Sequence, residues 1–175
     1  QLTVYGTTDR SEVVIKANGN GHTLGDISIA GDLKRFDASN TDLTGNLSVD
    51  GSLATLKLDD VSDAQITIGQ GSHPERKVDI DLGDVNNRNL RSELRIDKLD
   101  AVSWTASADS NNLLVAPNVR EIKVKGDFDA NLDIAGDLKT VRVQGSAAGI
   151  WQIDGDSRLI KAGGTTTDWS VSVGG

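Results

Sequence analysis

The sequence predicts an all-β fold, a single-domain parallel β-helix (solenoid) wound right-handed in about eight to nine rungs of ~19–20 residues. Three observations predict it. Short runs alternate apolar and polar residues, as in Ile122-Lys-Val124, Leu132-Asp-Ile134, Val141-Arg-Val143 and Trp151-Gln-Ile153. That is the period-two pattern of a strand with one buried face. Each run ends at a glycine, Gly126, Gly136, Gly145 or Gly155, followed by Asp or Ser. Gly126 to Gly145 is nineteen residues and so is Gly136 to Gly155, so two strand-turn units fit one repeat. The Gly-Asp corner recurs at positions 25, 31, 83, 126, 136 and 155. A fixed corner chemistry at a fixed period implies one corner stacked on itself. The alternative is an antiparallel β-sandwich, which needs longer strands and primed hairpin turns.

The elements follow in order. Residues 1–16 read as a strand (LTVYG), a polar turn (TTDRS) and a second strand (EVVIK). Asn18-Gly-Asn-Gly21 is a turn, because Asn and Gly tolerate positive φ. Strands follow at Ile27-Ser-Ile29, Leu47-Ser-Val49, Leu56-Lys-Leu58 and Ile66-Thr-Ile68, with Leu43, Val61 and Ala64 facing inward between them. Gln70 to Arg76 interrupts the pattern, Val78 to Leu82 restores it, and Val85 to Glu93 is a second polar interruption. Leu99 to Ala106 places Val102, Trp104 and Ala106 on one inward face. An insertion spans Ala108 to Pro117, after which the repeat is cleanest, ending in the strand Trp169 to Val173. No window sustains a helical apolar period.

The totals agree. A chain of 175 residues suits one domain. Aromatics are only 3%, so Val, Ile, Leu and Ala must build the core, as in stacked aliphatic layers. The net charge of −8 opposes nucleic acid and anionic membrane surfaces as partners. No run approaches the ~18 apolar residues of a membrane helix, so no membrane insertion is expected. Absence of Cys excludes a disulfide scaffold, a thiol nucleophile and a Cys-based zinc site. The first residue is Gln1, and a processed or excised piece of a longer protein is the expectation.

Ile134-Ala-Gly136-Asp137-Leu138, Ile29-Ala-Gly31-Asp32-Leu33 and Val124-Lys-Gly126-Asp127-Phe128 resemble the Gly-Asp-rich β-solenoid repeats of large secreted bacterial surface proteins. The opening LTVYGTTDRSEVVIKANGNG looks like a degenerate calcium-binding repeat of the kind that begins many such proteins. It departs from the pattern where calcium would need it. The nonapeptide G-G-x-G-x-D-x-U-x is missing, Gly19-Asn-Gly21-His22 lacks the acid, and Arg10 stands where a second acid is wanted. The resemblance implies an extracellular or cell-surface location and a structural or adhesive role.

The candidate sites are few. The acidity is 22 Asp against 4 Glu, and Asp serves both turns and hard cations. The densest groups are Asp59, Asp60 and Asp63, and Asp79, Asp81 and Asp84, which makes calcium the candidate cofactor. The competing reading is a charge ladder between rungs, with Asp79 and Asp81 outward beside Lys57, Arg95 and Asp97. Parity turns Trp104, Trp151 and Trp169 inward and leaves Tyr5 outward, so an aromatic sugar platform is not expected. No G-x-S-x-G, P-loop or H-E-x-x-H motif is present. Ligand contacts, if any, fall to His73, Glu75, Arg76, Asn87, Arg88, Asp109 and Asn112 on the irregular loops. The favoured expectation is a non-enzymatic, stiff rod that presents loops. Its expected partners are other domains or repeats of the same parent protein, surface polysaccharide, or a second copy joined at the solenoid edges. A polysaccharide-binding or polysaccharide-processing β-helix is the alternative.

Overall fold

A computed structural model describes residues 1–17, 21–106 and 112–174. Among them there is no helix, and every strand pair is parallel. The chain is a parallel β-solenoid of about eight turns. The antiparallel sandwich is thereby excluded.

Each turn has three sides. The first side stacks nine strands: Leu2–Thr7, Ile27–Gly31, Leu47–Val49, Gln65–Ile68, Asn89–Ser92, Leu113–Ala116, Asn131–Ile134, Ile150–Ile153 and Ser170–Val173. The second stacks Glu12–Val14, Leu33–Ala38, Leu53–Leu58, Lys77–Asn86, Arg95–Thr105, Val119–Val124, Leu138–Val143 and Ser157–Lys161. The third is short: Thr23–Leu24, Asp42–Leu43, Val61–Ser62, the ends of Lys77–Asn86 and Arg95–Thr105, then Phe128–Asp129, Ser146–Ala148 and Gly164–Thr165.

Register places like on like. One column of the second side runs Val13, Phe36, Leu56, Ile80, Leu99, Ile122, Val141 and Ile160. The third side stacks Leu43, Val61, Val85, Trp104, Phe128 and Ala147. In these columns each inner residue meets an apolar partner above and below, and Leu43, Val61 and Ala64 are buried as expected. Toward the C-terminal end the aliphatic stack becomes aromatic. Trp104, Phe128, Trp151 and Trp169 follow one another edge to face at 5.8, 5.7 and 5.4 Å. Such pairs add roughly 0.5–1.5 kcal/mol each beyond buried area.

The corners refine the sequence reading. Gly126, Gly136, Gly145 and Gly155 have no positive φ. They are glycine because rungs stack too closely for a side chain: a Cβ on Gly145 would lie 2.6 Å from the Gly126 carbonyl carbon, and one on Gly155 2.7 Å from that of Gly136. Several of the corner Asp and Asn side chains accept a backbone N–H of the next rung instead of one in their own turn. Asp26 Oδ1 accepts from Asn46 at 2.9 Å, and Asn46 Oδ1 from Gln65 at 2.8 Å. Asn118, Asp137 and Asp127 do the same for Asp137, Asp156 and Ser146.

Four local expectations change. Val85 to Glu93 is not an interruption, because Asn89–Ser92 is a strand of the first side with Leu90 and Ser92 inward. Val102 does not share the Trp104 face. Ala101 points in and Val102 is 41% exposed, since the strand turns a corner between Ala101 and Trp104. Asp97 is buried, covered by the outward cations Lys77, Arg95 and Arg120 that pair with it. It is the extra residue of a bulge opposite Val78 and Asp79. Trp169 is only partly buried, being in the last rung.

Candidate functional site

The sequence-predicted calcium acids divide between two places. Asp59, Asp60 and Asp84 sit at the corner between the second and third sides. Asp60 Oδ1 accepts the Asp84 N–H at 2.8 Å, and Asp84 Oδ1 accepts from Ser103 Oγ at 2.6 Å. Burial, reinforced by Asp60, Asp42 and Asp84, pushes the Asp59 carboxyl up. Asp79 and Asp81 lie on the outer second side, where Asp81 pairs with Lys57 at 3.3 Å. Asp63, in the left-handed region at φ 51°, lies 2.7 Å from Arg88 Nη2. Among the described residues no three His, Asp or Glu side chains group so as to hold a metal ion.

The loop candidates also separate. His73, Glu75 and Arg76 occupy the corner between the first and second sides. His73 Nδ1 lies 3.3 Å from Glu75 Oε1, and Arg76 donates to Asp9 at 2.7 Å. The same loop is tied down through Ser72, whose hydroxyl donates to Asp32. Chiefly for that reason, and with help from Ser52, the Asp32 pKa falls to about 2. Arg88 and Asn112 occupy a different corner and are buried at 8% and 2% exposure. Asn112 Oδ1 accepts the Arg88 N–H at 2.6 Å, and its Nδ2 donates to the Asp129 carbonyl at 2.9 Å. Arg88 also reaches the Ala64 carbonyl, and burial lowers its pKa. Asn87 is half-buried with φ 55°. Asp109 lies outside the described residues, as do Gly19 and Asn20 of the opening motif. Asp63, Arg88 and Asn112 thus form one inter-rung cluster, apart from the His73 loop.

The outer second side carries a groove of about 600 Å³ running along the solenoid axis. Its floor is the column Leu82, Ala101, Val124 and Val143. One wall is the outward column Asp81, Asp100, Lys123, Arg142 and Lys161, in direct register. Val102, Lys125 and Gln144 stand on the opposite wall. Arg142 and Lys123 both pair with Glu121, at 2.8 and 3.1 Å. Beside this column, Asp97 gathers Arg120 at 3.1 Å, Lys77 at 3.2 Å and Arg95 at 3.7 Å. Hydrogen bonding from Arg120 chiefly holds the Asp97 carboxyl below its usual range. The loop candidates missed this groove. Its signal was in the sequence: Lys123, Arg142 and Lys161 recur at the nineteen-residue period, as do Arg120, Lys139 and Arg158.

No protein-family profile, curated protein sequence or solved structure matches the chain. The class the geometry defines is the parallel β-solenoid repeat proteins.

Proposed function

We propose that this chain is a stiff β-solenoid rod, a structural or adhesive module of a secreted or cell-surface protein. One observation carries the reading. The inward columns are apolar through nearly every turn, while most extra residues are placed at corners, where the inter-rung spacing stretches from 19 or 20 to 24 residues. Selection on such a molecule acts on continuity of the stack, with loops and outer faces free to vary. The role needs no reacting centre. Its mechanism is geometric: backbone ladders transmit load while side chains on the faces make contacts. Further repeats or domains of a parent protein, surface polysaccharide, and a second copy along the edges are the partners this reading implies, and the location it implies is extracellular.

The test is to incubate the purified chain with a panel of surface polysaccharides and whole cells. Retention on surfaces without new reducing ends or unsaturated products is expected. Turnover of any glycan would replace this reading with that of a polysaccharide-processing β-helix.

A further inference from the structure

We propose that the groove on the last rungs of the second side docks an acidic polysaccharide, its chain lying along the solenoid axis. This deepens the adhesive reading and rests on it.

The first observation is charge. In a chain of net charge −8, the strands Val119–Val124, Leu138–Val143 and Ser157–Lys161 carry Arg120, Lys123, Lys139, Arg142, Arg158 and Lys161 against a single acid, Glu121. The second is register. Lys123, Arg142 and Lys161 are direct cross-strand partners, so one cation repeats per rung, about every 4.8 Å. Like charges directly opposite each other destabilise a sheet. Where the same face sets Asp81 opposite Asp100, each acid has a cation of its own, Lys57 and Lys98. The basic rungs have fewer counter-charges. Glu121 serves both Lys123 and Arg142, and Lys125 and Lys161 have no ion-pair partner among the described residues. Arg120 and Lys139 are taken by Asp97 and Asp137, so the surplus positive charge lies along Lys123, Arg142 and Lys161 with Lys125, and a row with more cations than acids is a preformed site for an anionic polymer. At a Debye length of about 10 Å in ordinary salt, acids on distant faces do little to cancel it.

The third observation selects the polymer. Val119–Val124 and Leu138–Val143 are paired on both edges and the open edge of Ser157–Lys161 faces along the axis, so a peptide lying in the groove across the strands has no ladder to join there. Recognition falls to the side chains of the two walls, because Val124 and Val143 between them belong to the buried core. A chain of rings with one carboxylate per unit, each ring comparable in length to one rung, fits that pattern. Asp81 and Asp100 reverse the sign at the other end of the groove. They exclude a polyanion there and limit the footprint to the basic rungs.

The experiment titrates the full chain with oligomannuronate by calorimetry, with chelator present so that cations cannot bridge. The carboxyl-reduced oligomer keeps the hydroxyls and loses the charge, and polyglutamate supplies the charge without the rings. Binding of oligomannuronate that weakens with salt, and that falls about ten-fold or more in Lys125→Gln/Lys161→Gln, is the expected result. Neither residue sits in an ion pair, so the variant should melt like the parent; adding Arg142→Gln should weaken binding further. No binding, binding unchanged in the variant, or equal affinity for the reduced oligomer would overturn the proposal. Tighter binding of polyglutamate through the same lysines would give the groove to an acidic peptide and overturn it too. Turnover of the oligomer would sink the non-catalytic reading and leave the groove standing, so the two failures are distinguishable.

Discussion

Asn112 decides whether the corner at Arg88 is a ligand site or part of the frame. Its side chain is almost wholly buried and bonds the rung on either side, through the Arg88 N–H and the Asp129 carbonyl. Asn112→Ala leaves both groups unpartnered. An orphaned buried polar group costs about 1–3 kcal/mol. The Arg88 amide is buried and takes the upper part of that range, while Asp129 is partly exposed and takes the lower. The sum is about 2–4 kcal/mol, and with roughly 2–4 °C of melting temperature per kcal/mol at this size, a loss of about 5–15 °C. Asn112→Asp keeps only the first bond and sets a carboxylate against the Asp129 carbonyl, so it should be at least as damaging. Urea unfolding followed by tryptophan fluorescence reads the effect, because Trp104 and Trp151 are fully buried. An alanine variant within about 0.5 kcal/mol of the parent, the usual effect of a surface change, would refute the reasoning. If such a variant also lost glycan adhesion, Asn112 would be a contact residue after all.

Three further outcomes are expected. Gly145→Ala should destabilise by about 1–3 kcal/mol through overpacking against the Gly126 backbone, while Gly25→Ala, with open space around its Cβ, should be nearly neutral in the same unfolding assay. Asp32 has a folded pKa of about 2 against an ordinary 3.8, so its contribution is present above pH 4 and is lost as the pH falls toward 2. Acid titration of stability should show about 1–2 kcal/mol lost in that window by the parent, discounted for partial exposure, and correspondingly less by Asp32→Asn. A thermal melt with and without chelator should give the same midpoint, because Asp60, Asp63, Asp81 and Asp84 are each engaged by an amide, a hydroxyl or a cation; a drop on chelation would restore the calcium reading of these acids.

Alternation and the nineteen-residue spacing made the solenoid legible, because a buried column requires the same parity at the same period in every rung. What escaped depends on the neighbouring rung. A corner Asp looks like a local turn former until the next rung's amide is seen to donate to it. Asn89–Ser92 looks like a loop because only Leu90 marks its inward side as apolar. Val102 has the parity of Trp104, but a corner between them resets the count. Arg88 and Asn112 read as loop residues because polarity says nothing about burial when adjacent rungs satisfy it. The basic wall was available from the same period that revealed the corners, with cations at 123, 142 and 161.

The cross-rung acceptors at the corners make each turn the template for the one that follows it. A turn added or removed as a whole nineteen-residue unit, such as 126–144, rejoins an acceptor to an amide and a glycine to a glycine. A change of any other length inside a strand leaves donors facing the wrong atoms. Length is therefore a variable that gene duplication can adjust freely, in whole turns, without redesigning the interior, and each added turn extends the outer columns by one more place.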